Sequence, residues 1–183
     1  MQRRRFLLAL PTLSMAYALP SALATAAGSR SIPEIQQGWQ KLLAPGADVA
    51  TSTESISKTD AEWQRVLTPT QFNVLRQEGT EYPHSSPLNG EKRPGVFVCA
   101  GCALPLFTSQ MKYDSGTGWP SFFTLIPGRL GTKEDRLLIM QRTEYHCIRC
   151  NGHQGHVFDD GPQPTGLRYC NNGVALKFIP QKA

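Results

Sequence analysis

A chain of 183 residues, 40% hydrophobic and 18% charged, has the length of one domain and enough apolar residues to bury a core, which excludes disordered, fibrous and heptad-repeat classes. Its net charge of +5 is a poor argument for a nucleic-acid partner. Arg3, Arg4 and Arg5 precede the first acidic residue, Glu34, and without those three the chain carries 16 basic against 14 acidic residues, a net of +2. Sixteen Gly and fourteen Pro beside eight Phe, five Tyr and three Trp indicate a turn-rich fold with more strand than helix.

The chain opens on Gln2-Arg3-Arg4-Arg5-Phe6-Leu7, a basic start followed by an apolar run to about Ala27 that Pro11 and Pro20 interrupt. Ala22-Leu23-Ala24 and Ala24-Thr25-Ala26 offer cleavage sites of the A-x-A type. Two arginines, one residue and Phe-Leu resemble the twin-arginine export motif. Residues 1–27 are therefore expected to be a signal peptide that delivers a folded protein to the periplasm, the alternative being an uncleaved anchor. The apolar run is too short and broken for a stable span, and no later segment is apolar enough to cross a membrane.

Residues 28–57 read as an N-terminal extension packing on the domain, with one short helix whose face carries Ile35, Trp39, Leu42 and Leu43. Two clearer helix starts follow. Thr59-Asp60-Ala61-Glu62 is a capping box, and Thr68-Pro69-Thr70-Gln71 repeats it with Pro69 at the first helical position. Both helices should end before Gly79. From Gly95 the pattern changes to short β-like runs: Val96–Val98, Leu104–Phe107, Trp119–Phe123, Leu137–Met140 and Leu167–Tyr169, separated by Gly, Pro, Asn and Asp. The expected fold is α+β and mainly β, a domain over residues 58–183 in which a few short N-terminal helices precede antiparallel sheet over about residues 90–180.

Five cysteines fall into Cys99-Ala100-Gly101-Cys102, Cys147-Ile148-Arg149-Cys150 and the single Cys170. Two C-x-x-C turns can aim four thiolates at one tetrahedral Zn2+, and the 44 residues between the pairs require at least a hairpin to be inserted. Two structural disulfides or a thioredoxin-like redox pair are the alternatives. The first suits an oxidising periplasm; the second needs a helix after the cysteine, and nothing helical follows Cys102 or Cys150. A zinc with four sulfurs is closed and structural, which leaves chemistry to Cys170. Arg168 is a nearby positive charge able to favour a thiolate. His153 and His156 are candidate acid/base partners for a nucleophilic cysteine.

The motifs Arg149-Cys150-Asn151-Gly152-His153-Gln154-Gly155-His156-Val157-Phe158 and Asp160 to Cys170 resemble the B-type peptide methionine sulfoxide reductases. Tyr113 to Phe122 and the run Leu75 to Pro83 fit the same family, and the resemblance covers about residues 58–180. It implies two antiparallel sheets, a structural zinc on Cys99, Cys102, Cys147 and Cys150, and reduction of the R epimer of methionine sulfoxide, free or in oxidised proteins. Cys170 is then the nucleophile, left as a sulfenic acid that a small thiol or a thioredoxin-like protein reduces. His156 is the main proton donor with His153 beside it. Asn172 orders the site by hydrogen bonding, Trp119 walls the substrate methyl, and Val157 lies beside the cysteine; Phe122 is assigned to the core. Two positions depart from the family pattern: Gly173 stands where many relatives carry Ser, and Thr117 where many carry a second, resolving cysteine. A monomer with no nucleic-acid partner is expected. The competing readings are a non-catalytic zinc-ribbon binding module, disfavoured by the lack of a basic–aromatic stripe, and a one-cysteine peroxidase.

Overall fold

The computed structural model describes residues 31–135 and 142–181; the leader and the expected strand over Leu137–Met140 lie outside them. Three short helices come first: α1 (Ile32–Gln37), α2 (Asp60–Val66) and α3 (Pro69–Gln77). Both capping boxes form, Thr59 with Glu62 and Thr68 with Gln71, each hydroxyl accepting from the backbone N–H three residues on. Helix α3 stops at Gln77 because Glu78 turns left-handed, with φ +58°. The short helix expected around Trp39 is α1 followed by a 3-10 turn, Gly38–Leu42, which buries Trp39 and Leu42.

Nine strands follow among the described residues: β1 (Gly95–Cys99), β2 (Pro105–Thr108), β3 (Lys112–Tyr113), β4 (Ser121–Phe122), β5 (Leu130–Asp135), β6 (Arg142–Cys147), β7 (His153–Phe158), β8 (Arg168–Asn171) and β9 (Leu176–Pro180). They form two antiparallel sheets, of order β2-β1-β9 and β3-β4-β8-β7-β6-β5. The mainly-β architecture with few short helices is thus as the sequence implies, although β3, β5, β6, β7 and β9 were not among the apolar runs.

The two sheets meet through aromatic rings. Phe107 of β2 stacks on Phe122 of β4 at 4.1 Å between centroids, and Phe97 of β1 meets Phe122 edge-on at 5.1 Å. Every residue of β1 is buried, which a strand in a two-layer sandwich cannot achieve alone because alternate side chains face outward. The N-terminal extension supplies the missing cover. Phe97 points into the main core, while Val96 and Val98 on the other face pack with Leu42, Leu43 and Val49. Backbone bonds from Ala50 to the Ala103 carbonyl and from Ile56 to the Arg149 carbonyl hold the extension against the two cysteine turns.

Candidate active site and metal centre

Strand register assembles the site. Across the large sheet Lys133, Glu144, His156, Cys170, Ser121 and Tyr113 are successive cross-strand partners. Direct partners place their Cβ atoms about 5 Å apart on one face, so the row is a continuous polar stripe on the side away from the Phe97–Phe107–Phe122 core. Cys170 and His156 are neighbours in it. A cleft of about 290 Å3 opens over them, with Trp119, Phe158, Arg168 and Asn172 in its lining. Gly155 makes the approach possible, since a Cβ there would fall 1.9 Å from the Cys170 carbonyl oxygen.

His153 and His156 are three residues apart, and a regular strand would send them to opposite faces. The register between β6 and β7 slips here: Tyr145 pairs with Gly155 but His146 pairs with His153, leaving Gln154 as an extra, bulged residue. The bulge returns His153 to the face of His156, their ring centroids 5.5 Å apart. His153 is buried, with Nδ1 2.8 Å from Glu144 Oε1. A carboxylate can only accept, so Nδ1 carries the proton and the ring's orientation is fixed. Lys133 caps the other Glu144 oxygen at 2.8 Å. A buried carboxylate is tolerable only when paired in this way.

Burial pushes the Cys170 thiol above its ordinary value. The Arg168 charge, with hydrogen bonds from Thr117, Arg168 and Ser121, draws it down without cancelling the burial. The expected thiolate-favouring effect of Arg168 is therefore present but outweighed. Its guanidinium is committed to Asp160 through two bonds of 2.7 and 2.8 Å and stacks over Phe158 at 4.2 Å. The balance of burial and charge therefore favours the neutral thiol.

Glu81 joins the remaining pieces. Its carboxylate, pushed up by burial, accepts from the backbone N–H groups of Gly173 (2.5 Å) and Val174 (3.0 Å). Its own N–H donates to Asn172 Oδ1 at 3.0 Å, and its carbonyl accepts from Trp119 Nε1 at 3.1 Å. One residue thereby holds the loop after Cys170 and the indole that walls the cleft. The departure at Gly173 has a steric cause, because a Cβ there would lie 2.0 Å from Ser86 Oγ.

The two C-x-x-C turns converge. All four sulfurs lie within 4.8 Å of one another. Two approaches run between the turns, 3.6 Å for Cys99–Cys150 and 3.5 Å for Cys102–Cys147. A disulfide needs about 2.05 Å, and the cysteines are free. Corners of a tetrahedron about a metal at ~2.3 Å are roughly 3.8 Å apart, which these distances fit. Protons alone serve the cluster badly: Cys99 and Cys150 are pushed up, each chiefly by its bond with Cys102, while Cys102 is pushed down by bonds from Cys147 and the other sulfurs. A divalent cation at the centre would resolve that competition by letting all four ionise. Arginines surround the site, with Arg76 donating to the Cys150 carbonyl (2.7 Å) and Arg149 to the Cys102 carbonyl (3.1 Å). Arg129 is close enough to Cys147 to feel its charge.

Of the residues singled out from sequence, Cys170, His156, Trp119, Arg168 and Asn172 line one cleft, and His153 sits behind His156. Val157 does not share it. It is one residue past His156, so it faces the other side of β7 and packs against the core. Glu81 and Glu144 were missed. A lone glutamate in a loop or strand has no local signal for burial; its partners here are 91 residues away for Glu81–Asn172 and 9 for Glu144–His153.

Comparison with known proteins agrees with this geometry. The SelR domain model matches residues 67–180. The chain is 52% identical over 126 residues to a peptide methionine sulfoxide reductase MsrB of Methanosarcina barkeri, covering 68% of this chain and 89% of that protein. Proteins of the same name from Agrobacterium fabrum (46% over 130 residues; 70% and 96% of the two chains) and Bradyrhizobium diazoefficiens (46% over 138; 75% and 99%) are similar to it as well.

Proposed function

This chain belongs to the family of the peptide methionine sulfoxide reductases MsrB, and on that premise we propose that it reduces the R epimer of methionine sulfoxide to methionine, free or in oxidised proteins, with Cys170 as nucleophile. The observation that carries the proposal is the direct pairing of Cys170 with His156 under a cleft walled by Trp119. Cys170 sulfur attacks the sulfoxide sulfur, and the sulfoxide oxygen is protonated as charge develops on it. The thiol holds a proton at rest, so His156 has one to relay and the step needs none from solvent. The oxygen ends on Cys170 as a sulfenic acid, methionine departs, and two electrons have passed from one sulfur to the other.

Recovery needs two thiols. The first condenses with the sulfenic acid and expels water, and the second takes the mixed disulfide and frees Cys170. A small thiol or a thioredoxin-like protein supplies them, since Thr117 offers no sulfur. His153, held by Glu144, fixes the ring packed against it, and Asn172 fixes the loop beyond Cys170. Cys99, Cys102, Cys147 and Cys150 hold one structural Zn2+, which contributes folding energy and no reactive position. The Arg3-Arg4-Arg5 leader supports export to the periplasm as a folded, metal-loaded monomer.

Turnover of the separated epimers with dithiothreitol tests the reading. The R form should be consumed and the S form left; equal consumption of both, or of neither, contradicts it.

A further inference from the structure

Gln154 is fully buried, yet it is polar and lies in the bulge between the two histidines. Its side-chain amide donates to Cys99 Sγ at 3.4 Å. Its backbone carbonyl accepts from both the N–H (2.8 Å) and the side-chain amide (3.1 Å) of Asn172. Its side-chain oxygen makes a long 3.5 Å contact with Asn171 Nδ2. One residue therefore touches a sulfur of the four-cysteine site and the loop that follows Cys170.

We infer that Gln154 is a positioning residue that pins the β7 bulge to the metal centre, and so couples metal binding to the alignment of His153, His156 and Asn172. The physical argument is one of anchoring. A bulged residue has no ladder partner on β6, so on that side nothing in the backbone holds its register. A slip by one residue would turn His153 to the opposite face and swing the carbonyl away from Asn172. The bond to Cys99 removes that freedom, and it strengthens when the sulfur is a metal-bound thiolate. Hydrogen bonds to ligating groups of this kind are worth about 10–100-fold in metal affinity or activity. This rests on the four cysteines holding a metal, as proposed above.

The test uses the full zinc-loaded chain and Gln154→Leu. That change should leave the fold intact, because Asn171 Nδ2 keeps its 2.8 Å bond to the Asn172 carbonyl. Zinc transfer to a chromophoric chelator should be about 10-fold faster or more. Amide exchange at Asn172 should accelerate while that of Val96 and Phe97 stays unchanged. Turnover should lose kcat with KM nearly constant, since Trp119 is held through Glu81. Wild-type chelator kinetics together with wild-type Asn172 exchange in Gln154→Leu would overturn the inference. Should the variant fail to fold, wild-type protein loaded with cadmium-113 decides the matter. A scalar coupling between the metal and the Gln154 amide protons supports the bond, and its absence overturns it. A wild-type chain that takes up no metal would instead refute the four-cysteine reading, a separable failure.

Discussion

His156 on β7 stands directly opposite Cys170 on β8, held there by the sheet's register and not by a loop. Position on a paired strand restricts both side chains to one face at a separation of about 5 Å. His156→Ala should slow single-turnover methionine formation by about 10²–10⁴, the scale of a lost general acid. The deficit should shrink as pH falls and solvent provides the proton. Quenched-flow measurement of methionine released in the first turnover checks this; a wild-type rate moves the proton to another group.

The raised Cys170 thiol makes a prediction with a definite sign. Burial favours the neutral form, so alkylation of the free enzyme by iodoacetamide should stay slow at neutral pH and climb through the alkaline range. Arg168→Met removes the largest opposing influence and should shift that climb to still higher pH. A profile in which the thiol is already ionised at pH 7 contradicts the burial argument.

Glu81 ties Trp119 to the loop beyond Cys170, so its loss should be felt in both places. Glu81→Ala leaves the buried N–H groups of Gly173 and Val174 without their acceptor, at a cost of about 1–3 kcal/mol. The expected result is a lower thermal midpoint in calorimetry and a raised KM as the indole loosens. An unchanged midpoint would mean that other acceptors replace the carboxylate.

Thr117 lines the same cleft as Cys170, and its hydroxyl is near enough to the sulfur to draw the thiol's pKa down, so a cysteine at this position would face the sulfenic acid. Thr117→Cys should resolve the sulfenic acid as an internal disulfide and speed recycling by thioredoxin, whereas the natural chain depends on an external thiol. Steady-state rates with thioredoxin as the only reductant decide it. If the natural chain forms a disulfide from Cys170 to Cys99, Cys102, Cys147 or Cys150 with metal release, the four sulfurs are not reserved for the metal.

The elements that announced themselves in the sequence are those with local causes. Thr59–Glu62 and Thr68–Gln71 satisfy helix ends within four residues, so α2 and α3 were legible. The apolar triplet Val96–Val98 marked β1 because the extension buries both its faces. Strands β6 and β7 were not legible: Arg142, Glu144, His153 and His156 are polar because they line the cleft or stand directly behind it. Cysteine spacing suggested the four-sulfur cluster, and the single cysteine suggested the nucleophile. Glu81, Glu144 and Gln154 acquire their meaning only from partners that folding brings to them, and the Gln154 bulge puts two histidines on one face against the strand period.

The central claim is that Cys170 takes the oxygen. Mass spectrometry after one equivalent of R-methionine sulfoxide, without reductant and with dimedone present, tests it most directly. The account predicts one methionine per chain, a single dimedone adduct on Cys170, and neither product in Cys170→Ser. Methionine formation by Cys170→Ser, or an adduct elsewhere with Cys170 unmodified, would contradict it.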